Sequence, residues 1–277
     1  MSFLVRPMAR DELDLALRWA IEEGWNPGLY DAEPFYAADP NGFFIGELDG
    51  EPIGSLSAVA YDEHFGFMGL YIVRPKHRGL GYSVELWDSG MLYLGGRNIG
   101  LACPNAQESY YRDCGFTLAF RSMRYEGIGG GARPRGVVEL ASVPFEELVA
   151  YDARLFSVPR PKFLAAWIRQ PQTMALGVLR KGALAGYGVL RKCHVGFKIG
   201  PLMADTQRGA ETLLRALTAA AHGESLFLDV PETNPAAVAL VQRQHMRPVL
   251  QTAWMFTQAA PAVNMKKVYG MTNRGLG

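Results

Sequence analysis

The sequence predicts a mixed α/β protein built from two similar units, and three observations carry that prediction. The order of predicted strands and helices runs through the chain twice, as expected for a duplicated unit. A glycine-rich run over residues 127–136, Gly-Ile-Gly-Gly-Gly-Ala-Arg-Pro-Arg-Gly, divides the chain into nearly equal halves and reads as a flexible linker. Residues 73–83, Val-Arg-Pro-Lys-His-Arg-Gly-Leu-Gly-Tyr-Ser, read as the end of a strand, a tight turn and the first turn of a helix.

The elements follow in chain order. A strand over 3–6 precedes a helix marked by Asp11 near its start and by Leu13, Leu17, Trp19 and Ile21 along it. Residues 24–42, rich in Gly, Pro, Asp and aromatic side chains, read as a loop. Strands are expected at 43–48, 53–61 and 67–73, with Asp49-Gly50 as the hairpin signal between the first two. The apolar-periodic stretch 84–94 is the helix after the glycine turn, and a strand over 98–103 stops at Pro104. A short helix over 107–113 and a strand over 117–125 close the first half. In the second half, strands are expected at 138–140, 175–180, 184–191, 197–203, 225–230 and 249–256, and helices at 145–155, 161–168, 210–221 and 236–244.

Composition narrows the function. The length, 277 residues, suits two ordinary domains or one large one, and 49% apolar with 20% charged residues is normal for a globular chain. A formal net charge of +1 argues against a general nucleic-acid binder. Cys103, Cys114 and Cys193 show no paired or CxxC spacing, which implies a reduced, cytoplasmic setting and argues against a thiolate metal site. The N-terminal Met-Ser-Phe-Leu-Val-Arg-Pro is unlike a signal peptide, and no apolar run reaches membrane-spanning length. The expectation is a protein with no metal, nucleic-acid or membrane partner, present as a monomer or homodimer.

The turn over 73–83 carries the chemistry. Free amides at a helix start, with about half a positive charge from the helix dipole, form an anion site. Gly79, Gly81 and Ser83 let a phosphate approach the backbone, and Arg78 adds a cation at the rim.

Val73-x-Pro75-x-x-Arg78-Gly79-x-Gly81-x-Ser83 resembles the acetyl-coenzyme-A motif of the GNAT N-acetyltransferase superfamily, R/Q-x-x-G-x-G/A after the fourth strand. Arg78 and Gly81 match, and Ser83 replaces the last small residue. Downstream, Tyr111-Arg-Asp-Cys-Gly115-Phe116 resembles the family's Y-x-x-x-G-F. The second half resembles a degenerate copy. Asn234-x-x-Ala237 remains, Val241 stands at the tyrosine position, and His245-Met246 replace Gly-Phe. At its phosphate turn Arg208-Gly209 are followed by Glu211 and Leu213, which should repel and obstruct a pyrophosphate. The resemblance implies two tandem GNAT-like domains, each a mixed central sheet flanked by helices: 1–126 catalytic, 127–136 a linker, and 137–277 degenerate.

The resemblance also implies roles. Acetyl-CoA is the expected cosubstrate, with pantetheine along Tyr71, Ile72 and Val73 and pyrophosphate over the amides of Arg78, Gly79, Leu80, Gly81, Tyr82 and Ser83. A strand amide near Ile72 would stabilise the oxyanion, and Tyr111 would protonate the departing thiolate. The fourth strand lacks the glutamate that relatives use as base, so Asp62, Glu63 and His64 are the expected base or relay, with Asp31 and Glu33 as further candidates. Trp25, Tyr30, Asp31 and Glu33 are expected to face the acceptor, since aromatic rings and carboxylates suit a cationic amine. The implied activity is N-acetylation of a small-molecule primary amine. Protein-lysine acetylation, or a non-catalytic coenzyme-A-binding scaffold, are the alternatives.

Overall fold

A computed structural model describes residues 2–277 of the chain. Its thirteen strands form one continuous sheet rather than two separate ones. The first half supplies β1 (Phe3–Pro7), α1 (Glu12–Glu22), α2 (Ala32–Ala38), β2 (Phe43–Leu48), β3 (Glu51–Ala60) and β4 (Phe65–Val73). It continues with α3 (Tyr82–Tyr93), β5 (Asn98–Pro104), α4 (Glu108–Asp113) and β6 (Thr117–Ile128). The second half opens with β7 (Val138–Glu139), α5 (Phe145–Phe156), α6 (Pro161–Trp167), β8 (Thr173–Arg180) and β9 (Ala183–Lys192). It ends with β10 (Phe197–Ala204), α7 (Gln207–Ala220), β11 (Ser225–Pro231), α8 (Pro235–Arg243), β12 (Arg247–Phe256) and β13 (Val268–Gly270). The loop expected over 24–42 therefore contains a helix. Its seven residues include Pro34, Phe35 and Tyr36, too short a span for apolar periodicity to register.

The strand order is β1-β2-β3-β4-β5-β12-β6-β11-β10-β9-β8-β7. β6, the last strand of the first half, and β12, the last long strand of the second, have changed places. β12 pairs antiparallel with β5 of the first half, and β6 pairs antiparallel with β11 of the second. Between them β12 and β6 pair with each other, with Trp254 opposite Phe120 and their rings stacked at 5.5 Å. The exchange leaves neither half with a complete sheet of its own.

The helices seal the same junction. One core cluster draws Leu13, Phe35 and Phe43 from the first half together with Leu148, Trp167 and Tyr187 from the second. Phe35 stacks on Trp167 at 6.3 Å, and the indole N–H of Trp167 donates to the Gly200 carbonyl at 2.9 Å. Fully buried side chains of this size contribute about 1.5–3 kcal/mol each, so the halves are held as one body.

That junction takes in the first four residues, 127–130, of the run expected to be a flexible linker. β6 runs on to Ile128, the Gly129 amide donates to Glu224 at 2.8 Å and the Gly130 amide to Thr218 at 2.8 Å. A Cβ at Gly129 would lie 1.9 Å from the Ala221 carbonyl oxygen, so this glycine permits close approach instead of freedom.

Candidate functional site

The site begins with a disturbance in β4. β4 and β5 pair in parallel only from Phe65 to Met68 against Asn98 to Leu101. Beyond that point Leu70 adopts φ +45°, and the β3–β4 register shifts between Ser55 and Ser57. The Ser55 hydroxyl donates to the Leu70 carbonyl at 2.8 Å and fixes this bulge. A bulge bends its strand, and here it opens a cleft between β4 and β5 of about 450 Å³. Tyr71 and Val73 line the cleft, while the side chain of Ile72 between them turns into the core at 3% exposure.

At one end of the cleft stands the glycine turn. Gly79 and Gly81 have φ of +74° and +92°, and a Cβ on either would meet nothing within 4 Å. Glycine is required there by the backbone angle. The amides of residues 79–83 have no acceptor among the described residues, whereas the next one, Val84, is bound to the Gly81 carbonyl at 2.9 Å. Five consecutive free amides over open space fit a polyphosphate. Arg78 differs from the expected rim cation: its Nε donates to the Val73 carbonyl at 2.8 Å, and its other end pairs with Glu23.

The middle of the cleft is aromatic. Tyr71, Trp87, Tyr110 and Tyr111 all line it. Tyr110 shares the cavity with its neighbour Tyr111, and the two rings meet edge-on at 5.2 Å. Tyr111 is buried against Trp87 and Phe116, and its hydroxyl has no protein partner among the described residues. Burial pushes the Tyr111 phenol above its ordinary value, and the nearby Cys103, Tyr71 and Tyr110 add to the shift. Burial also pushes the Cys103 thiol up to about 12, which leaves it protonated and a poor nucleophile.

The inner end is a polar chamber built mostly by the second half. Arg124 and Asp229 form a two-pronged pair at 2.8 and 2.7 Å, and Arg191 pairs with Asp31 at 2.8 Å. Lys198 donates to the carbonyl of Trp25 at 3.1 Å and to that of Asn26. Burial works to raise the Asp229 carboxyl, but Arg124 and Arg274 prevail and hold it below the usual carboxylate range. The chain's last segment supplies Thr272, Asn273, Arg274 and Gly275 to the same wall. Gly275 crosses β4 so closely that a Cβ on Gly69 would lie 2.2 Å from its carbonyl oxygen.

Some predicted residues lie elsewhere. Asp62, Glu63 and His64 form the exposed turn between β3 and β4 and do not line the cavity. The Asp62 carboxylate is occupied by the amides of His64 and Phe65 at 2.8 and 2.7 Å. Tyr30 and Glu33 line a separate surface groove with Lys162 and Arg169, and Glu33 pairs with Arg10. Trp25 and Asp31 do reach the cavity, but Asp31 arrives neutralised by Arg191. The chamber residues the sequence did not single out are Arg124, Arg191, Lys198, Asp229 and Arg274. The available signal was a charge in the middle of an apolar strand, Lys198 in Phe-Lys-Ile-Gly-Pro-Leu-Met, since burying such a group requires a partner.

Residues 10–116 match the acetyltransferase (GNAT) family, and residues 148–270 match the acetyltransferase (GNAT) domain. The chain belongs to the GNAT superfamily and carries two of its domains in tandem. This GNAT chain is similar to the holothin acyltransferase of Pseudoalteromonas sp. (strain SANK 73390), at 26% identity over 98% of this chain and 94% of that protein. Its fold is similar to that of a solved Pyrococcus horikoshii protein assigned as an acetyltransferase, with a TM-score of 0.86 and 22% identity over 99% of this chain and 96% of that one. A tandem GNAT protein from the clavulanic acid biosynthesis pathway shares the fold at a TM-score of 0.64 and 13% identity, over 94% of this chain and 100% of that one. The chain is thus an acyltransferase of a family that uses acetyl-CoA. Among the described residues no cluster of His, Cys, Asp and Glu is arranged to hold a metal, and no helix is long and apolar enough to cross a membrane.

Proposed function

We propose that this GNAT chain is an N-acetyltransferase that moves an acetyl group from acetyl-CoA directly to a primary amine of a small molecule. In this reading residues 1–126 form the catalytic unit, 127–136 join it to the rest, and 137–277 form a unit that no longer binds the donor. The observation that carries the reading is the opened β4–β5 cleft and the unpartnered Tyr111 hydroxyl in one cavity, at whose rim Arg78 and Ser83 bring the turn of five free amides.

The amides from Gly79 to Ser83 would hold the donor's pyrophosphate, and the edge of β4 at Tyr71, Ile72 and Val73 would hold its pantetheine arm. The donor supplies a thioester, an acyl group with a good leaving group. A β4 amide beside Ile72, at Tyr71 or Val73, is the candidate donor to the developing oxyanion, since Ile72 itself pairs with Ser55 of β3. Tyr111 holds a proton at its hydroxyl for the departing sulfur. Its raised value keeps it protonated at neutral pH, at the cost of making it a weaker acid than a free phenol.

The base is replaced by environment. The two carboxylates of the chamber are tied to arginines, and Arg274 adds a positive charge that no carboxylate pairs. Such a field disfavours an ammonium and favours the neutral, nucleophilic amine. The amine's proton then leaves through water. The full-length similarity to a protein named for acyl transfer to holothin favours a small acceptor over a protein lysine.

The test is thiol release from acetyl-CoA across a panel of amines, with product mass as confirmation. Donor binding without release for any amine, together with full activity in Tyr111→Phe, would leave a coenzyme-binding scaffold instead.

A further inference from the structure

The inner chamber has a charge imbalance that its protein groups do not resolve. Four cations line it, Arg124, Arg191, Lys198 and Arg274, against two carboxylates, Asp31 and Asp229. Both carboxylates are committed, Asp31 to Arg191 and Asp229 to Arg124. Lys198 and Arg274 have no carboxylate partner among the described residues. Lys198 meets only the backbone carbonyls of Trp25 and Asn26, and Arg274 reaches only the Thr252 hydroxyl, at 3.5 Å. Asn273, at 7% exposure on the same wall, has an Nδ2 with no partner at all.

The energetics point the same way. Burial depresses Arg274 to about 10, and the neighbouring Arg124 adds to that shift. Burial likewise lowers Lys198 well below the ordinary lysine value, with Arg124 and then Arg274 opposing its charge. At neutral pH Arg274 still carries its proton, so at least one uncompensated cation faces the cavity. Unpaired buried charge is among the more expensive features a fold can keep, and a chain held this way is complementary to an anion.

Resting on the transferase reading, we propose that the acceptor is an amine bearing its own carboxylate, an amino acid, and that Arg274 with Lys198 is the clamp that receives it. The fork of Arg274 suits a carboxylate, and the Asn273 amide adds a neutral donor. The chamber is therefore selective against polyamines, whose second ammonium would meet Lys198 and Arg274. This reverses the expectation from Asp31 and Glu33 that the acceptor wall is anionic. Arg274 sits on the terminal segment, so specificity for the first half's reaction is delivered by residues that follow the second half.

The experiment pairs amino acids with their amides and their decarboxylated amines, for example L-phenylalanine, L-phenylalaninamide and phenethylamine, and L-lysine with cadaverine. Turnover is read as kcat/KM. Binding is read by calorimetric titration of the coenzyme-A-bound protein with the same compounds. The amide has the less basic amine and the larger neutral fraction, so a preference for the acid cannot arise from amine protonation. The acid is expected to exceed its amide by roughly 10- to 100-fold in kcat/KM and in affinity. Arg274→Gln should remove that preference by raising the KM for the acid alone, with the KM for acetyl-CoA unchanged, and Arg274→Lys should restore part of it. Equal or better turnover of the amide, the decarboxylated amine or a phosphorylated amino sugar overturns the carboxylate and leaves the transferase standing. No thiol release with any amine overturns the transferase. In that case, equal calorimetric affinity for acid and amide overturns the anion clamp as well.

Discussion

The two halves of the chain build the same opening and use it differently. In the first half β4 and β5 run parallel as far as Met68 and Leu101 and then part. In the second half β10 and β11 run parallel from Phe197 to Ile199 against Leu226 to Leu228 and then part in the same way. The first gap is left open as a cavity. The second is filled by the chain itself: β13 lies in it, pairing Gly270 with Leu202 and Val268 with Met203, and the Met271 amide donates to the Asp229 carbonyl at 2.8 Å. A strand thus occupies the place where the family resemblance puts pantetheine.

The helix that follows each gap differs to match. α3 starts behind Gly79 and Gly81 with free amides. α7 starts at a threonine cap, where the Thr206 hydroxyl accepts from the Gly209 amide at 3.1 Å and the Thr206 carbonyl from the Ala210 amide at 3.0 Å. Glu211 and Leu213, expected to repel and obstruct a pyrophosphate, lie away from such a turn. Leu213 is fully buried in the core, and Glu211 faces Arg243 at 3.9 Å. The cap holds the Gly209 amide, and β13 fills the slot beside it. Asn234, retained from the family pattern, now caps α8 and donates its Nδ2 to the Val268 carbonyl at 2.9 Å, holding the inserted segment. Arg160, bound to the buried Asp152, donates to the Thr272 hydroxyl at 2.9 Å and does the same further along.

The largest expected effect tests whether only the open half performs chemistry. Tyr111→Phe should lower kcat by roughly 100-fold or more, the scale of a lost general acid, with little change in donor KM. In the parent protein the alkaline limb of kcat should lie above that of an ordinary tyrosine. The group acts while protonated, and burial raises the pH at which it loses its proton. Tyr111→Phe should abolish that limb, and an unchanged pH–rate profile would reject the assignment. The corresponding residue of the second half, Val241, is buried in the core and has no proton to offer.

The next test breaks the connection between the halves. Gly69→Val would place side-chain atoms where the Gly275 backbone now lies, 2.2 Å from a built Cβ. The terminal segment should be expelled, raising acceptor KM by roughly 10- to 100-fold, the scale of a lost charged contact. Limited proteolysis should then cleave near residue 272 at a protein concentration where the parent resists. Retained acceptor KM with a released segment would separate the segment from the site.

A smaller effect is expected at the donor turn. Gly81→Val forces a β-branched side chain to φ +92°. The strain of about 1–2 kcal/mol corresponds to roughly a 10-fold rise in the KM for acetyl-CoA. Acceptor KM should not follow.

The sequence made one half of the site legible and hid the other for a physical reason. Arg78–Ser83 and Tyr111 could be read because each is a local pattern, a turn that needs positive φ and a helix face a few residues long. The chamber is assembled from Arg124 on β6, Lys198 on β10, Asp229 on β11 and Arg274 beyond β13, brought together by a strand exchange that no spacing encodes. The same exchange bears on the glycines of 127–136. Composition makes them all a tether, while the exchanged β6 holds Gly127 in the sheet and Gly129 and Gly130 against Ala221 and Thr218, and Gly131 and Gly136 stand in open space. The exposed candidates failed in the opposite sense. Asp62, Glu63 and His64 adjoin the fourth strand in sequence, but that strand presents its other end to the cleft.

The smallest effect is the sharpest on whether the second half retains any donor function. Thr206→Ala removes the cap of α7 and should cost about 1 kcal/mol of stability, seen as a lower urea midpoint. It also frees the Gly209 amide, which is a step back toward the open half. If the filled slot is what silences the second half, this change leaves acetyl-CoA stoichiometry at one per chain and donor KM unaltered, because β13 still lies between β10 and β11. A second equivalent of bound acetyl-CoA after this single change would mean that the cap, and not the inserted strand, had closed the site.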